Sequence, residues 1–184
     1  MTKLFILNGP AGVGKDTIAD VMVSSGACCE KVSFKSPMFD VAKGMLSSDE
    51  FDWFIENYNN RDEKEKPQKI LGGKTIREFM IWISESVMKP VFGNDVFGRR
   101  LASSLGDGCY ICADGGFASE IEPLIDASVN VTLIRLHRAG YTFDGDSRSY
   151  IHGVCAKEID VRVVDGDING TSALVRHVIN STNC

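Results

Sequence analysis

The sequence contains no long apolar run. Its first apolar segment, residues 4–7, is only four residues long, whereas a secretory leader needs about 7 to 15 apolar residues and a membrane span about 20. We therefore expect no leader, no membrane anchor and no membrane partner.

Basic residues are also in the minority, because the chain has 20 Lys and Arg against 25 Asp and Glu, for a formal net charge of -5. This balance argues against binding to a nucleic-acid polymer, which needs a basic excess.

Metal-binding and redox patterns are scarce as well. The three histidines show no metal-ligand spacing, and no Gly-x-Ser-x-Gly hydrolase motif occurs. The six cysteines are scattered, apart from the adjacent Cys28 and Cys29, which is typical of reduced thiols in a cytoplasmic protein. Cys109 and Cys112 have C-x-x-C spacing, but positions three apart on a strand face opposite sides. We therefore interpret these two cysteines as core residues.

The length and the apolar pattern predict a single α/β domain. A chain of 184 residues that is 43% hydrophobic can bury one substantial core. Residues 4–7 predict a strand buried on both faces, followed by a glycine-rich turn and a helix over residues 15–25. Further strands are predicted over residues 109–113, 129–136 and 159–164, with helices over residues 119–125 and 171–179.

The middle of the chain predicts a helical insertion instead of more sheet. Apolar residues recur there at helical spacing. The charged, proline-containing residues 59–69 have no apolar periodicity and predict an exposed loop. We assign residues 1–36 and 105–184 to the α/β core and residues 37–104 to the insertion. Helices are predicted over residues 38–46, 50–58, 75–87 and 95–103.

A glycine-rich segment follows the first strand directly. Gly-Pro-Ala-Gly-Val-Gly-Lys at residues 9–15 matches the pattern G-x-x-x-x-G-K and lies between a buried strand and a helix. In such a loop, glycines let successive N–H groups point at phosphate oxygens, and the helix N-terminus and the lysine add positive charge. The segment therefore predicts a site for the phosphates of a nucleoside triphosphate. The residues expected to bind them are Ala11, Gly12, Val13, Gly14, Lys15, Asp16 and Thr17.

The residue after Lys15 departs from the usual pattern. A Ser or Thr at that position holds magnesium in many such loops, whereas this chain has Asp16 followed by Thr17. We expect Thr17 to contact Mg²⁺ through water. Asp16 has two equal interpretations: it lies near the acceptor or the metal, or it favours the first helical turn through the macrodipole.

An aspartate follows the strand predicted over residues 109–113. Asp114 stands at the carboxyl end of that strand, where ligands bind in open α/β sheets. A carboxylate there would orient Mg²⁺ close to an acceptor, which suits phosphoryl transfer, a reaction catalysed mainly by positioning and charge neutralisation. The alternative is that Asp114 merely begins an Asp-Gly-Gly turn.

Several cations are candidates for phosphate binding. Lys35 follows the expected second strand, and Arg77 begins the long helix of the insertion. An arginine fork would clamp an acceptor phosphate, although a single such cation is more often a solvated surface charge.

A Gly- and Asp-rich segment, residues 138–150, follows the strand over residues 129–136, and we interpret it as a short lid. Arg138 closes that strand and begins this segment. Arg138 either stabilises the transferring charge, the interpretation we favour, or anchors the loop through a salt bridge.

Taken together, these segments resemble the bacteriophage deoxynucleoside monophosphate kinases, a branch of the P-loop kinases related in architecture to adenylate kinase. The resemblance covers nearly the whole chain, and the order and spacing of the segments carry it. It implies a three-layer α/β/α fold with about five parallel strands, a helical acceptor-binding insertion and a short lid. It also implies ATP as cosubstrate, Mg²⁺ as cofactor, a deoxynucleoside monophosphate as acceptor, and the host cytoplasm as location if a phage encodes the chain. The matching segments are residues 9–17, 33–38, 75–79, 92–97, 114–120 and 134–138.

Two positions depart from that family. Relatives often carry an arginine where this chain has Gly116, and a His-Ser-Glu lid motif where this chain has Asp146-Ser-Arg-Ser149. Two alternatives therefore stay open. One is a P-loop kinase for another small acceptor, such as a sugar acid or dephospho-coenzyme A. The other is a module that binds ATP with little turnover.

The residue roles that follow from this hypothesis can be stated individually. Catalytic roles fall to Lys15, Arg77 and Arg138. The acceptor-binding residues would be Phe34, Lys35, Arg77 and Asp114. An aromatic ring could stack on the acceptor base, although aromatics at such positions more often belong to the core; the candidates are Phe34, Phe39, Trp82 and Phe117. The amphipathic helix around Trp82 could also bury its second face against a second copy of the chain, forming a homodimer.

Overall fold

The computed structural model describes residues 1–28, 30–146 and 148–182, and for Arg61 it describes the backbone only. Two residues with sequence-based expectations, Cys29 among the thiols and Ser147 in the lid, lie outside the described residues, as do residues 183–184. The chain divides into two compact units, Met1–Phe34 with Phe97–Cys184, and Lys35–Val96. We call the first the sheet unit and the second the helical unit.

The sheet unit contains a five-stranded parallel sheet, which confirms the predicted α/β fold class. The strands lie in the order β2-β3-β1-β4-β5. In the middle of the sheet, Ile6 of the central strand pairs with Cys112 on one side and with Leu133 on the other. The strands are β1 (Thr2–Asn8), β2 (Glu30–Val32), β3 (Gly108–Cys112), β4 (Asn130–Arg138) and β5 (Lys157–Val163).

Helices occupy most of the remaining described chain. None of those in the described residues combines the length and the apolar character that spanning a bilayer requires. A short 3-10 helix covers Lys69–Leu71, and a π-helix covers Ile83–Met88. The α-helices are α1 (Lys15–Ser24), α2 (Ser36–Met45), α3 (Ser48–Asn57), α4 (Arg61–Lys64), α5 (Ile76–Trp82), α6 (Lys89–Phe92), α7 (Val96–Ser104), α8 (Ala118–Asp126) and α9 (Ile168–Ser181).

The central strand β1 is buried on both faces because successive side chains point to opposite sides of a sheet. Phe5 belongs to a core that includes Ile18 of α1 and Val175 of α9. Ile6 faces the other side, where it lies against the backbone of Gly115. Helices cover both sides of the sheet, so residues 4–7 of β1 are all apolar, as the sequence predicts.

The direction of the crossovers reverses between β1 and β3. After β1 the chain crosses to β2 on one side, and after β3 it crosses through α8 to β4 on the other side. In parallel sheets such a reversal opens a crevice at the carboxyl ends of the two strands, and ligands bind in it. The glycine-rich loop follows β1 and Asp114 follows β3. The topology therefore brings the two predicted parts of the phosphate site to one edge of the sheet.

The helical unit is organised around aromatic side chains. Phe54 of α3 is fully buried. Its ring centroid lies 5.9 to 6.1 Å from those of Phe39, Phe51, Tyr58 and Phe79. Aromatic pairs at such separations stabilise a core beyond the area that they bury. This unit therefore has its own apolar centre.

Capping explains where two of its helices begin. The Thr75 hydroxyl accepts from the N–H of Glu78 at 3.1 Å while the Glu78 carboxylate accepts from the N–H of Thr75 at 2.8 Å, so α5 begins after Thr75. The helix predicted over residues 75–87 is present, but from Ile83 onward it is a π-helix.

The prediction of a loop over residues 59–69 is wrong in part, because this segment contains α4. There the side chain of Asn60 accepts from the N–H of Asp62 at 3.0 Å and caps a turn that apolar periodicity cannot reveal.

Candidate active site

The loop over residues 9–14 joins β1 to α1, and its glycines meet two different physical needs. Gly12 and Gly14 have φ angles of 77° and 109°, a backbone region that favours glycine. Gly9 permits a close approach instead, because a Cβ there would lie 2.9 Å from the carbonyl oxygen of Leu136 on β4. The loop is therefore tightly curled next to β4. A larger residue would clash with β4 at position 9 and would strain the backbone at positions 12 and 14.

Lys15 is the first residue of α1, and its side chain turns back into the loop. Its Nζ donates to the carbonyl oxygens of Gly9 at 2.6 Å and Pro10 at 2.8 Å, and the residue is only 8% exposed. Burying an ammonium group is costly unless it is hydrogen-bonded, and these bonds offset that cost. The fold thus holds a cation at the N-terminus of α1, the combination that favours phosphate binding.

Asp16 and Thr17 follow in the first turn of α1, and both are exposed. The Asp16 carboxylate lies 3.0 Å from Nζ of Lys31 on β2, and the same Nζ lies 2.9 Å from Asp20. The structure therefore shows Asp16 in an ion pair between α1 and β2 that neither interpretation of the sequence included. Thr17, which was assigned to magnesium, stands two residues after Lys15 at the start of the same helix.

The carboxylate of Asp114 is held in place by its surroundings. Its Oδ2 accepts from the Ser33 hydroxyl at 2.5 Å, and its Oδ1 accepts from the Phe34 N–H at 3.2 Å and from the Cys112 thiol at 2.9 Å. Burial raises the pKa of the Cys112 thiol well above its usual range, so this thiol stays protonated and can donate. A residue that merely began a turn would not require Ser33, which follows β2. Sequence reasoning gave Ser33 no role.

A magnesium ion at this site would need ligands beyond Thr17 and Asp114. Among residues 1–28, 30–146 and 148–182, no group of three or more His, Cys, Asp and Glu is arranged to hold a metal ion. Mg²⁺ usually keeps several waters and binds through one or two protein oxygens together with substrate phosphates. An exposed hydroxyl at Thr17 in the first turn of α1 and a carboxylate at Asp114 after β3 fit that mode of binding.

Arg138 ends β4 and reaches the glycine-rich loop. Its Nη1 donates to the carbonyl oxygen of Gly12 at 3.3 Å, and its Nε donates to Asp165. The hydrogen bond that Arg138 donates to Asp165 raises the pKa of the guanidinium. The guanidinium carbon also lies 4.5 Å from the centre of the Tyr141 ring. The structure thus contains the anchoring salt bridge of the second interpretation and places the cation beside the loop, as the first requires.

Arg135, three residues earlier on β4, is an internal structural residue. It is 6% exposed; its Nε and Nη2 donate to the two oxygens of Asp160, each at 2.9 Å, and its Nη1 donates to Glu158 at 2.6 Å. The same Nη1 donates to the carbonyl oxygen of Ile151 at 2.9 Å. These bonds hold the pKa of Asp160 well below its usual range. The buried cation is therefore paired, and it ties the chain around Ile151 to the sheet.

The last residues of the predicted lid, together with Ile151, are anchored near the end of β1. Asn8 is 1% exposed, and its side chain donates to the Ser149 carbonyl at 3.3 Å and accepts from the Ile151 N–H at 3.1 Å. The Tyr150 hydroxyl adds a bond to the Leu136 carbonyl at 2.9 Å. Because Asn8 directly precedes the glycine-rich loop, residues 149–151 lie next to that loop. Sequence reasoning missed Asn8, although a polar residue at the end of an apolar strand was a visible signal.

Arg148 lies at the other side of the crevice, against the chain that follows β3. A Cβ on Gly116 would lie 2.9 Å from Cγ of Arg148 and closer still to its Cδ. The guanidinium donates to both oxygens of Asp146, from Nε at 2.9 Å and from Nη2 at 2.5 Å. These bonds lower the pKa of Asp146 to about 2, and the charge of Lys15 acts in the same direction. Sequence reasoning gave Arg148 no role.

Two candidates for acceptor binding lie in the helical unit. Lys35 is the N-cap residue of α2 and is partly buried. Arg77, in the first turn of α5, pairs with Glu65 at 2.8 Å, and the two side chains are 61% and 56% exposed. This pair matches the alternative of a surface charge. An exposed arginine can nevertheless exchange its partner for a phosphate, so the role of Arg77 stays a prediction.

The aromatic candidates for base stacking differ in exposure. Phe34 is 2% exposed and lies against Gly115, so its ring offers almost no surface to a ligand. Phe39 belongs to the aromatic centre of the helical unit, and Trp82 stacks on a neighbouring ring. Phe117 is 36% exposed. In this structure Phe34 therefore acts in packing, and its contact with an acceptor stays a prediction.

Comparisons with known proteins bear on the fold. No family model and no curated protein matches the sequence. Among solved structures, the chain is similar to a dephospho-CoA kinase from Campylobacter jejuni, with a TM-score of 0.51, 14% identity and 100% of both chains covered. It is also similar to an uncharacterized protein from Eubacterium ventriosum, with a TM-score of 0.47, 13% identity and 98% of this chain and 99% of that chain covered.

A gluconokinase from Sinorhizobium meliloti is a further neighbour, with a TM-score of 0.42, 10% identity and 99% of this chain and 98% of that chain covered. The Campylobacter jejuni structure covers the whole chain, and its likeness concerns the fold alone. With its parallel sheet, its helices on both sides and its loop between β1 and α1, this chain has the α/β fold of the P-loop kinases.

Proposed function

We propose that this chain is a kinase that transfers the terminal phosphoryl group of ATP to a deoxynucleoside monophosphate. The observation that carries the proposal is the loop over residues 9–15, with its positive φ angles and its buried lysine at the start of α1. A loop of this kind binds the phosphates of a nucleoside triphosphate. The similarity to a dephospho-CoA kinase also suits phosphoryl transfer.

On the donor side, the loop N–H groups and Lys15 bind the β and γ phosphates of ATP. Thr17 and Asp114 hold a hydrated Mg²⁺, which neutralises phosphate charge when bound. Arg138 lies beside the loop and contributes positive charge where negative charge develops during transfer. Asp16, which is tied to Lys31, stabilises the first turn of α1.

On the acceptor side, Lys35 and Arg77 bind the phosphate of the deoxynucleoside monophosphate. The support for this acceptor is the order of the motifs along the sequence. Dephospho-coenzyme A is the competing acceptor, because one structural neighbour is a dephospho-CoA kinase.

We further propose a cytoplasmic location and small-molecule partners only. We also propose a homodimer that forms through the helix around Trp82, and analytical ultracentrifugation would test this oligomeric state.

The first experiment measures ADP release from ATP and Mg²⁺ with each of the four deoxynucleoside monophosphates and, in parallel, with dephospho-coenzyme A. Lys15→Ala is expected to reduce acceptor-dependent release about 10²- to 10³-fold, since it removes a preorganised charge at the transition state. Lys69→Ala, at an exposed lysine of the helical unit, is the matched control and should leave release unchanged.

Each result has a distinct meaning. Release that depends on a deoxynucleoside monophosphate and is lost in Lys15→Ala supports the proposal and names the acceptor. Release stimulated only by dephospho-coenzyme A would replace the acceptor but retain the kinase. Measurable ATP binding without release for any acceptor would favour a binding module with little turnover.

A further inference from the structure

Arg148 occupies the space that a side chain at position 116 would otherwise fill. Gly116 is buried and lacks the positive φ that explains Gly12 and Gly14, so its backbone alone does not require glycine. The three heavy atoms nearest to a Cβ at this position all belong to Arg148, with Cγ at 2.9 Å and Cβ at 3.6 Å. The missing side chain at position 116 therefore makes room for one particular arginine.

Two contacts place Arg148 at the crevice between the ends of β1 and β3. Gly116 lies four residues beyond Cys112, the last residue of β3. The residue after Arg148 is held by Asn8, whose side chain donates to the Ser149 carbonyl at 3.3 Å at the end of β1. Arg148 is thus bracketed by the two strand ends between which the crossovers reverse and where ligands bind in such sheets.

The guanidinium is paired with an anion that a phosphate can replace. The backbone N–H of Arg148 donates to Asp146 at 3.0 Å, Nε donates to its two oxygens at 2.9 and 3.1 Å, and Nη2 donates at 2.5 Å. The charge of Lys15 also acts on the Asp146 carboxylate. The Asp146 carboxylate is therefore bonded to Arg148 and also feels the charge of Lys15. Phosphate carries more negative charge than a carboxylate and accepts the same arginine fork.

We propose that Arg148 binds the phosphoryl group of ATP that is transferred, and that Gly116 is the residue that admits its side chain. This inference rests on the proposed kinase function. In the transfer, an oxygen of the acceptor phosphate forms a bond to the γ phosphorus. The bond from that phosphorus to the bridging oxygen breaks, and ADP leaves with the electron pair. Arg148 keeps its proton throughout and contributes hydrogen bonds and positive charge in addition to that of Lys15.

A double-mutant cycle tests the pair. Arg148→Ala removes the guanidinium, whereas Gly116→Ala retains it and displaces it, because the three atoms nearest to the new Cβ all belong to the flexible Arg148 side chain. Each single variant should reduce acceptor-dependent ADP release about 10²-fold. The double variant should be no slower than Arg148→Ala, since truncating Arg148 removes the Cγ and Cδ that a Cβ at position 116 would meet. Arg148→Lys should fall between Arg148→Ala and the unmodified chain, because lysine keeps the charge but not the fork.

Two control variants match the two changes. Arg176→Ala removes an exposed arginine of α9. Gly106→Ala adds a methyl group whose only neighbour within 4 Å is Oη of Tyr110, at 3.9 Å. Both should leave ADP release unchanged. Additive losses in the double variant, or normal turnover in Arg148→Ala, would overturn the assignment of Arg148.

Equilibrium binding separates this inference from the proposed function. Arg148→Ala should weaken ATP binding roughly tenfold while leaving ADP binding nearly unchanged, because ADP lacks the transferred group. This titration needs no acceptor. If the unmodified chain released no ADP with any acceptor, the proposed function would fail while the titration still decided the role of Arg148. Equal ATP affinity in Arg148→Ala together with a lower melting temperature would show that Arg148 only anchors its loop, and would overturn the inference.

Discussion

The sheet unit and the helical unit hold their charged side chains in different ways. In the sheet unit, Lys15 and Arg135 are buried cations that each have several hydrogen-bond partners. In the helical unit, Arg77 meets Glu65 in a pair with both side chains more than half exposed, while the interior is aromatic. One unit therefore presents preorganised charges, and the other presents an apolar frame with charges on its surface.

This difference separates the two sides of the proposed reaction. Charges held by the fold need no reorganisation when a ligand arrives, so their positions indicate where phosphate binds. An exposed arginine adopts its binding position only with the ligand present, so its position indicates little. The proposed roles on the donor side thus concern side chains that the fold holds in place. The acceptor side depends on side chains such as Arg77 that the fold leaves exposed.

The largest expected effect concerns the interior of the helical unit. Phe54→Ala should lower the free energy of unfolding by about 3 to 5 kcal/mol, because it leaves a cavity among packed rings. Urea unfolding followed by tryptophan fluorescence measures it, since Trp53 and Trp82 both lie in the helical unit. Ile55→Ala, at a 45% exposed position of the same helix, is the control. An equal loss in both variants would contradict an aromatic centre at Phe54.

The next effect concerns the buried charge of the sheet unit. Arg135→Ala should cost about 3 kcal/mol at pH 7, because it leaves two carboxylates without their cation. Arg135 depresses the pKa of Asp160, so its stabilisation is present above the ordinary value of 3.8 and is lost as the pH falls through the depressed value. The difference between variant and unmodified chain should therefore shrink below pH 4, as measured by circular dichroism during unfolding.

The control for that change is Arg162→Ala, which removes an exposed arginine of β5. It should alter the free energy of unfolding by less than about 0.5 kcal/mol at either pH. If Arg135→Ala lowered the free energy of unfolding as little as Arg162→Ala does, the carboxylates around Arg135 would be solvated well enough not to need a cation.

A smaller effect on stability, with a larger one on function, is expected for Arg77. Arg77→Ala should change the free energy of unfolding by less than about 1 kcal/mol, because exposed ion pairs contribute little. If Arg77 binds the acceptor phosphate, the KM for the acceptor should rise about tenfold, equivalent to about 1.4 kcal/mol, with kcat less affected. Steady-state kinetics measures both constants. An unchanged KM would remove Arg77 from the acceptor site.

The smallest effect is the pH dependence of the Asp146 pair. Because hydrogen bonds from Arg148 lower the pKa of Asp146 from 3.8 to about 2, the unmodified chain should be more stable than Asp146→Asn at pH 7. The advantage should persist above pH 4 and disappear as the pH falls from 4 to 2. Unfolding by urea at several pH values measures it. Asp126→Asn, at an exposed residue of α8, should show no such pH-dependent difference.

Most elements of both units could be predicted from local sequence, and the exceptions have physical causes. The strand over residues 4–7 and the helix that begins at Thr75 carry their signals within a few residues, as burial or as a capping box. Helix α4 was missed because Asn60 caps a charged turn that buries no apolar face. The change to π-helix at Ile83 was missed because hydrogen-bond spacing leaves no mark in the apolar pattern.

The candidate site divides in the same way. The loop residues around Lys15 could be predicted because their glycines, lysine and flanking elements are contiguous. The salt bridge of Arg138 to Asp165 and the bond of Ser33 to Asp114 join distant segments, and no spacing rule connects them. Asn8 could have been found, since it is the first polar residue after a fully apolar run.

The sequence by itself determined the glycine-rich loop and its cation, because φ preferences, helix initiation and hydrogen bonds within residues 4–17 are local properties of the chain. Only the tertiary structure decided that Arg148 lies on Gly116 and that Asn8 holds Ser149. Those positions are brought together by the order of the strands, which depends on the packing of the whole sheet. Before that packing forms, Arg148 is an arginine in a polar segment, and nothing local distinguishes it from a solvated surface charge.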